Sequence, residues 1–146
     1  MADVKVKEKL ISDFKNSCRS GGFKVTPQRT IIYEELISSE DHPNVELLYN
    51  RVKKRLPDIS FDTVYRTLMT FNELNLASVV AGLSATKRYD FRTEKHYHFI
   101  CVRCGAIHDI LDVPFKFDTP VSIKEKYNPS NIRIIFEGIC TKCRLK

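Results

Sequence analysis

The chain has 146 residues, 42% of them hydrophobic and 29% charged, an apolar fraction well above that of a disordered chain and enough for one ordinary domain or two small ones. Its formal net charge of +6, carried mostly by the second half, permits nucleic-acid binding without demonstrating it. Residues 1–10 alternate Lys with Val and Glu and lack the apolar run of a secretory signal, and no stretch approaches membrane-spanning length, so a cytoplasmic protein with no membrane partner is expected. Five cysteines in that compartment argue for metal binding over a disulfide framework, with Cys18 left over.

Residues 8–20 carry Leu10, Ile11 and Phe14 at helical spacing and stop at Gly21-Gly22, which predicts a helix and a sharp C-terminal end. Thr26-Pro27 is a cap followed by a first-turn proline, and Ile31, Ile32 and Leu36 continue a second helix. Pro43 is expected to open a third, with Val45, Leu48 and Val52 on one face and Lys53, Lys54 and Arg55 in its last turn, where cations suit the helix dipole. Ser60 caps a fourth whose stripe is Val64, Leu68, Phe71 and Leu74. Residues 76–80 and 88–91 then read as two short strands around a loop at 82–86. Helices followed by a two-stranded hairpin is the order of a winged helix-turn-helix, with the Ser60 helix placed for a major groove.

From Arg92 the pattern changes to short β-rich runs at 96–100, 107–111 and 131–138, with a short helix expected within 119–127. The expected fold class is therefore α+β. A winged helix-turn-helix domain over 1–91 precedes a small α/β domain over 92–146.

Two motifs in the second domain carry chemistry. Cys101-x-x-Cys104 and Cys140-x-x-Cys143 offer four thiolates for tetrahedral zinc, which would tie two distant strands together and close the domain. His96-Tyr97-His98 puts two imidazoles on one face of a strand. His42, Asp90, His108 and Asp109 are the candidates to complete a site, although His108, next to Asp109 on a strand, should face the other way. Three nitrogens and two carboxylates would make a borderline-hard site suited to Fe(II) or Mn(II) rather than a thiolate-rich copper or zinc site.

These residues carry a resemblance over nearly the whole chain. The stretches are Gly22-Phe23-Lys24-Val25-Thr26-Pro27-Gln28-Arg29, His42-Pro43, Ser60-x-x-Thr63-Val64-Tyr65-Arg66-Thr67-Leu68, Arg88-Tyr89-Asp90, His96-Tyr97-His98-x-x-Cys101-x-x-Cys104-Gly105 and Gly138-x-Cys140-x-x-Cys143. They resemble the ferric uptake regulator family of metal-dependent repressors. Within it, the ligand pattern His42, Asp90, His96, His98 and Asp109 looks like the peroxide-sensing PerR branch, with aspartate at 109 where the iron-sensing branch tends to carry glutamate. The family often has a histidine in the strand before the last knuckle, where this chain reads Asn131-Ile132-Arg133-Ile134.

The resemblance implies a homodimer joined through the second domains, each winged helix reading half of an inverted-repeat operator in double-stranded DNA. A structural Zn(II) and a regulatory Fe(II) or Mn(II) are implied, the second closing the DNA-binding lobes to the operator's spacing. It also implies that peroxide acting on bound Fe(II) oxidises His42 or His96, which frees the metal and then the DNA; the alternative within the family is an iron- or manganese-availability repressor with the same ligands and no peroxide sensing. That change is stoichiometric, so no enzyme is expected, and no small organic ligand. For DNA contact the candidates are Lys24 before the second helix and Tyr65 and Arg66 on the polar face of the fourth. A metallohydrolase built on His96, His98 and a carboxylate would need a spare acid–base pair, which the sequence does not offer. A zinc-ribbon or RNA-binding scaffold would lack its aromatic stacking motif.

Overall fold

The computed structural model describes residues 3–80 and 86–146. The chain divides into two compact units, Met1–Thr93 and Glu94–Lys146. Among the described residues no helix is long and apolar enough to cross a membrane.

The N-terminal unit contains α1 (Val4–Ser20), α2 (Pro27–Ile37), α3 (Val45–Lys53), α4 (Phe61–Glu73) and the antiparallel pair β1 (Ser78–Val80) and β2 (Arg88–Asp90). Helix α1 begins at Val4, earlier than the apolar pattern implies, because Asp3 O already accepts the Lys7 N–H at 2.9 Å and starts the ladder ahead of the buried positions. It ends as its glycines predict. Gly22 takes the left-handed conformation, φ 79°, and the Gly22 and Phe23 N–H groups return to Arg19 O and Cys18 O, the Schellman arrangement that satisfies otherwise orphaned carbonyls.

Side-chain caps start the next three helices. Thr26 accepts from Arg29 N–H, Asn44 from Leu47 N–H and Ser60 from Thr63 N–H. Asn44 thus takes the role expected of Pro43, whose carbonyl is used instead by the Tyr89 N–H of β2 at 3.0 Å. Strand β1 is shorter than the run 76–80 for a related reason. Asn75 is left-handed, φ 57°, and the Leu76 and Ala77 N–H groups both bond Phe71 O. Their amides close α4 and so are not free for a strand ladder. Of the expected loop at 82–86, residues 82–85 lie outside the described residues.

Phe14, Tyr33 and Phe71 form the centre of the N-terminal core. Phe14 stacks on Tyr33 at 4.7 Å between ring centroids, and Phe71 meets both edge-on at 5.6 Å. Ile32, Leu36, Leu48, Val52, Val64 and Leu68 are fully buried around them. This core holds α4 by its Val64, Leu68 and Phe71 stripe and leaves the opposite face of that helix to solvent.

The C-terminal unit contains β3 (Tyr97–Cys101), β4 (Ile107–Ile110), α5 (Val121–Lys126), β5 (Ile135–Gly138) and α6 (Thr141–Arg144). The strand order is β4-β3-β5, with β3 antiparallel to β4 and parallel to β5. The run 131–138 is strand only from Ile135, and the four-residue α6, unforeseen in the sequence, follows directly on Cys140. Parallel pairing needs a long crossover, and residues 111–134, including α5, supply it.

Candidate functional site

The four cysteines of the paired knuckles converge in the C-terminal unit, with all sulfurs within 4.8 Å of one another. The register explains the convergence: Cys101 at the end of β3 pairs with Gly138 at the end of β5, so the two knuckles leave neighbouring strands side by side. Left-handed Gly105, φ 75°, turns the first knuckle back so that its N–H bonds Cys101 O at 2.9 Å. Cys104 Sγ and Cys140 Sγ are 3.8 Å apart. Four thiolates bonded at about 2.3 Å around a tetrahedral ion would be separated by about 3.8 Å, so the donor set fits zinc. Backbone N–H groups of Cys104 and Cys140 point at Cys101 Sγ at 3.5 and 3.3 Å and bring its pKa down to about 6, whereas burial pushes Cys143 up to about 12. Arg103, within the first knuckle, donates to Cys143 O of the second at 2.9 Å.

A second cluster lies on the same sheet. His98 on β3 stands directly opposite Asp109 on β4, and His96 shares the face, two residues earlier. Asp109 Oδ1 is 3.0 Å from His96 Nε2 and 3.1 Å from His98 Nε2, and all three side chains are at most 13% exposed. The imidazole rings are 4.3 Å apart, and His96 Nδ1 lies 2.6 Å from Glu94 O, which leaves Nε2 to face the cluster. First-row ions bound at about 2.1 Å in octahedral geometry hold adjacent ligands about 3.0 Å apart. Asp109 Oδ1 stands at about that spacing from each of the two imidazoles, and two nitrogens with a carboxylate are donors that first-row ions accept. His108 is exposed on the other face, its ring 6.4 Å from Phe99, as the alternation of a strand requires.

The N-terminal unit brings His42 and Asp90 together. His42 Nε2 is 3.5 Å from Asp90 Oδ2, with both residues 3% exposed, while Asp90 Oδ1 accepts the Arg92 N–H at 2.9 Å. His42 sits in the turn before α3 with φ 52°, a left-handed value uncommon for a residue with a side chain. The sequence reading missed what holds that turn. Arg88, two residues before Asp90 on β2, donates through Nε to His42 O and through Nη2 to Asp41 O. Its place in the motif Arg88-Tyr89-Asp90 was the available signal.

The DNA candidates also lie in the N-terminal unit. Arg66 and Lys24 line one groove with Gln28, Arg29, Thr63 and Thr70. Arg66 is exposed and paired with Asp62 one turn earlier at 2.8 Å. Arg29 donates to Lys24 O at 2.7 Å and lies over the Phe23 ring at 5.5 Å, so it shapes the segment that presents Lys24. Tyr65, 38% exposed, lies outside that groove and lines a separate concavity with Phe61, Lys87 and Tyr89.

Residues 20–136 match the sequence model of the ferric uptake regulator family. The peroxide-responsive repressor PerR of Staphylococcus saprophyticus is 31% identical over 149 residues, covering 99% of each chain. The solved Helicobacter pylori ferric uptake regulator aligns with a TM-score of 0.72 at 23% identity, over 99% of this chain and 97% of that one. The Campylobacter jejuni peroxide stress regulator aligns with a TM-score of 0.63 at 24% identity, over 98% and 100%. At these identities the two structures speak for the fold. With a family match spanning most of its length and a relative alike from end to end, the chain belongs to the ferric uptake regulator family.

Proposed function

We propose that this protein is a metal-dependent transcriptional repressor that binds operator DNA as a homodimer and releases it when hydrogen peroxide oxidises a histidine ligand of its regulatory metal. The observation that carries the reading is the His96, His98 and Asp109 cluster, whose 3.0 and 3.1 Å separations suit adjacent ligands of a first-row ion. The peroxide-responsive name of the Staphylococcus saprophyticus relative supports the choice of signal.

In this reading Cys101, Cys104, Cys140 and Cys143 hold a structural Zn(II), and His42, Asp90, His96, His98 and Asp109 hold the exchangeable Fe(II) or Mn(II). Each domain contributes part of the second ligand set, so occupancy selects one arrangement of the two domains, and operator DNA must tighten metal binding by the factor that metal tightens DNA binding. When bound, Fe(II) supplies the redox chemistry that turns peroxide into an oxidant beside its ligands. The net change inserts one oxygen atom into a ring C–H bond of His42 or His96 and leaves the other as water, two electrons passing from the imidazole to the peroxide. An oxidised ring is a poorer ligand, and the metal-free protein loses its operator. Each chain reacts once, so the protein is a regulator and not an enzyme. Lys24, Tyr65 and Arg66 make the contacts with DNA, an inverted repeat that matches the two-fold symmetry of the dimer.

The test loads the zinc protein with Fe(II) or Mn(II), adds stoichiometric peroxide, and follows operator binding together with the masses of the His42 and His96 peptides. One added oxygen and loss of DNA binding in the iron sample alone are expected. Unmodified histidines, with DNA binding still abolished by chelation, would make the protein a metal-availability repressor instead.

A further inference from the structure

Two arginines hold the turn that carries His42. Arg88 reaches from β2 and donates to two successive carbonyls, Asp41 O at 2.5 Å and His42 O, and the next residue, Tyr89, donates its N–H to Pro43 O at 3.0 Å. The strand therefore grips three consecutive residues. From the other side Arg51 on α3 takes both oxygens of the Asp41 carboxylate, at 2.9 and 2.5 Å, and Ser39 Oγ at 2.9 Å. That carboxyl is accordingly held below the usual carboxylate range by its bonds to Arg51.

The purpose of so much bonding is visible in the backbone. At φ 52° His42 occupies the left-handed region, uncommon for a residue with a side chain although histidine enters it more readily than most, and the alternative is rotation to the right-handed region. That rotation would swing Cβ and carry Nε2 away from Asp90 Oδ2, from which it now stands 3.5 Å. A carbonyl bonded to a guanidinium fixes the peptide plane on the C-terminal side of His42, and the bond to Asp41 O fixes the plane on its N-terminal side. With both planes fixed, φ and ψ of His42 have little freedom left.

The geometry points to Arg88 as the positioning residue of the His42–Asp90 ligand pair: it fixes the direction of the imidazole towards Asp90, without itself touching the metal. Arg88 carries this role because its fork spans two carbonyls in one plane, which a lysine cannot reproduce. It also sits on β2, the strand that bears Asp90, so the two ligands are referred to a single element. The inference rests on the reading of His42 and Asp90 as regulatory ligands.

The test uses the full-length zinc-loaded protein, with Mn(II) as the probe and free Mn(II) followed by electron paramagnetic resonance. Groups that orient ligands commonly govern metal affinity ten- to a hundredfold. Arg88→Ala is expected to weaken Mn(II) binding by about that factor, with zinc content unchanged, and Arg88→Lys should recover part of the loss. Operator affinity of Arg88→Ala should fall at limiting Mn(II) and return at saturating Mn(II), which a generally damaged winged domain would not show. His42→Ala is the reference. If it loses Mn(II) while Arg88→Ala and Arg88→Lys bind as wild type, the positioning role is refuted and the ligand assignment stands. If wild type and His42→Ala bind Mn(II) equally, the ligand assignment fails and this inference with it. Should Arg88→Ala lower the melting temperature, Arg88→Lys decides, and wild-type affinity in that variant overturns the role.

Discussion

Removing zinc should unfold the C-terminal unit and leave the N-terminal unit folded. Among the described residues, the buried hydrophobic side chains of Glu94–Lys146 other than the cysteines are Ile100 and Ile107. Fully burying two such side chains contributes roughly 3–6 kcal/mol, too little to order a unit of this size by itself. Phe99 and Ile139 are only partly buried, and both pack against the cysteine cluster, so even this packing depends on the knuckles staying closed. A structural zinc site contributes about 10–16 kcal/mol of apparent binding free energy, which exceeds the aliphatic core and makes folding of this unit metal-linked. The N-terminal unit has a continuous core of its own, from Phe14 through Tyr89. The assay is amide hydrogen exchange on the full chain under reducing conditions, before and after zinc is stripped by a strong chelator. Protection in β3, β4 and β5 should vanish while the amides of α2 and α4 stay protected. Undiminished protection of β3 in verified zinc-free protein would show that the sheet stands without its metal, and the reasoning would be wrong.

Phe71→Ala should destabilise the N-terminal unit by about 3–5 kcal/mol, since it removes a fully buried ring that meets both Phe14 and Tyr33; urea denaturation measures it, and a loss below about 1 kcal/mol would contradict the packing. Burial raises the Tyr33 pKa to about 12. Because the neutral form is favoured in the folded state, this stability is complete below the unfolded tyrosine value of about 10 and is lost as pH rises from there through the folded value. Thermal melts of wild type against Tyr33→Phe should therefore diverge only above about pH 10. Lys24→Ala and Arg66→Ala should each weaken operator binding across all sequences and lower the salt slope by about one, whereas Tyr65→Ala should relax preference at one base position. Salt titrations on matched and substituted operators separate the two outcomes, and an unchanged slope for Arg66→Ala would remove it from the phosphate contacts.

Those parts of this protein that depend on neighbours in the chain were legible in its residues. Helix α2 follows from Thr26-Pro27 and α4 from Ser60 and its apolar stripe, because caps and helical periodicity act within a few residues. The paired knuckles pointed to zinc through spacing alone, and His96 and His98 share a face because strands alternate. Where local signals compete, the reading was less accurate. Leu76 and Ala77 look like strand residues, yet their amides complete the end of α4, and Pro43 looks like a helix start although Asn44 makes the cap. The rest depends on packing between distant segments. That β5 pairs in parallel with β3, and that Asp109 stands opposite His98, are matters of long-range register, which no local pattern encodes. The left-handed turn at His42 and its hold by Arg88 and Arg51 join residues far apart in sequence. Their hydrogen bonds exist only once β2 and α3 have packed beside that turn, which is why His42 was legible in the sequence as a candidate and the arginines that bond its turn were not.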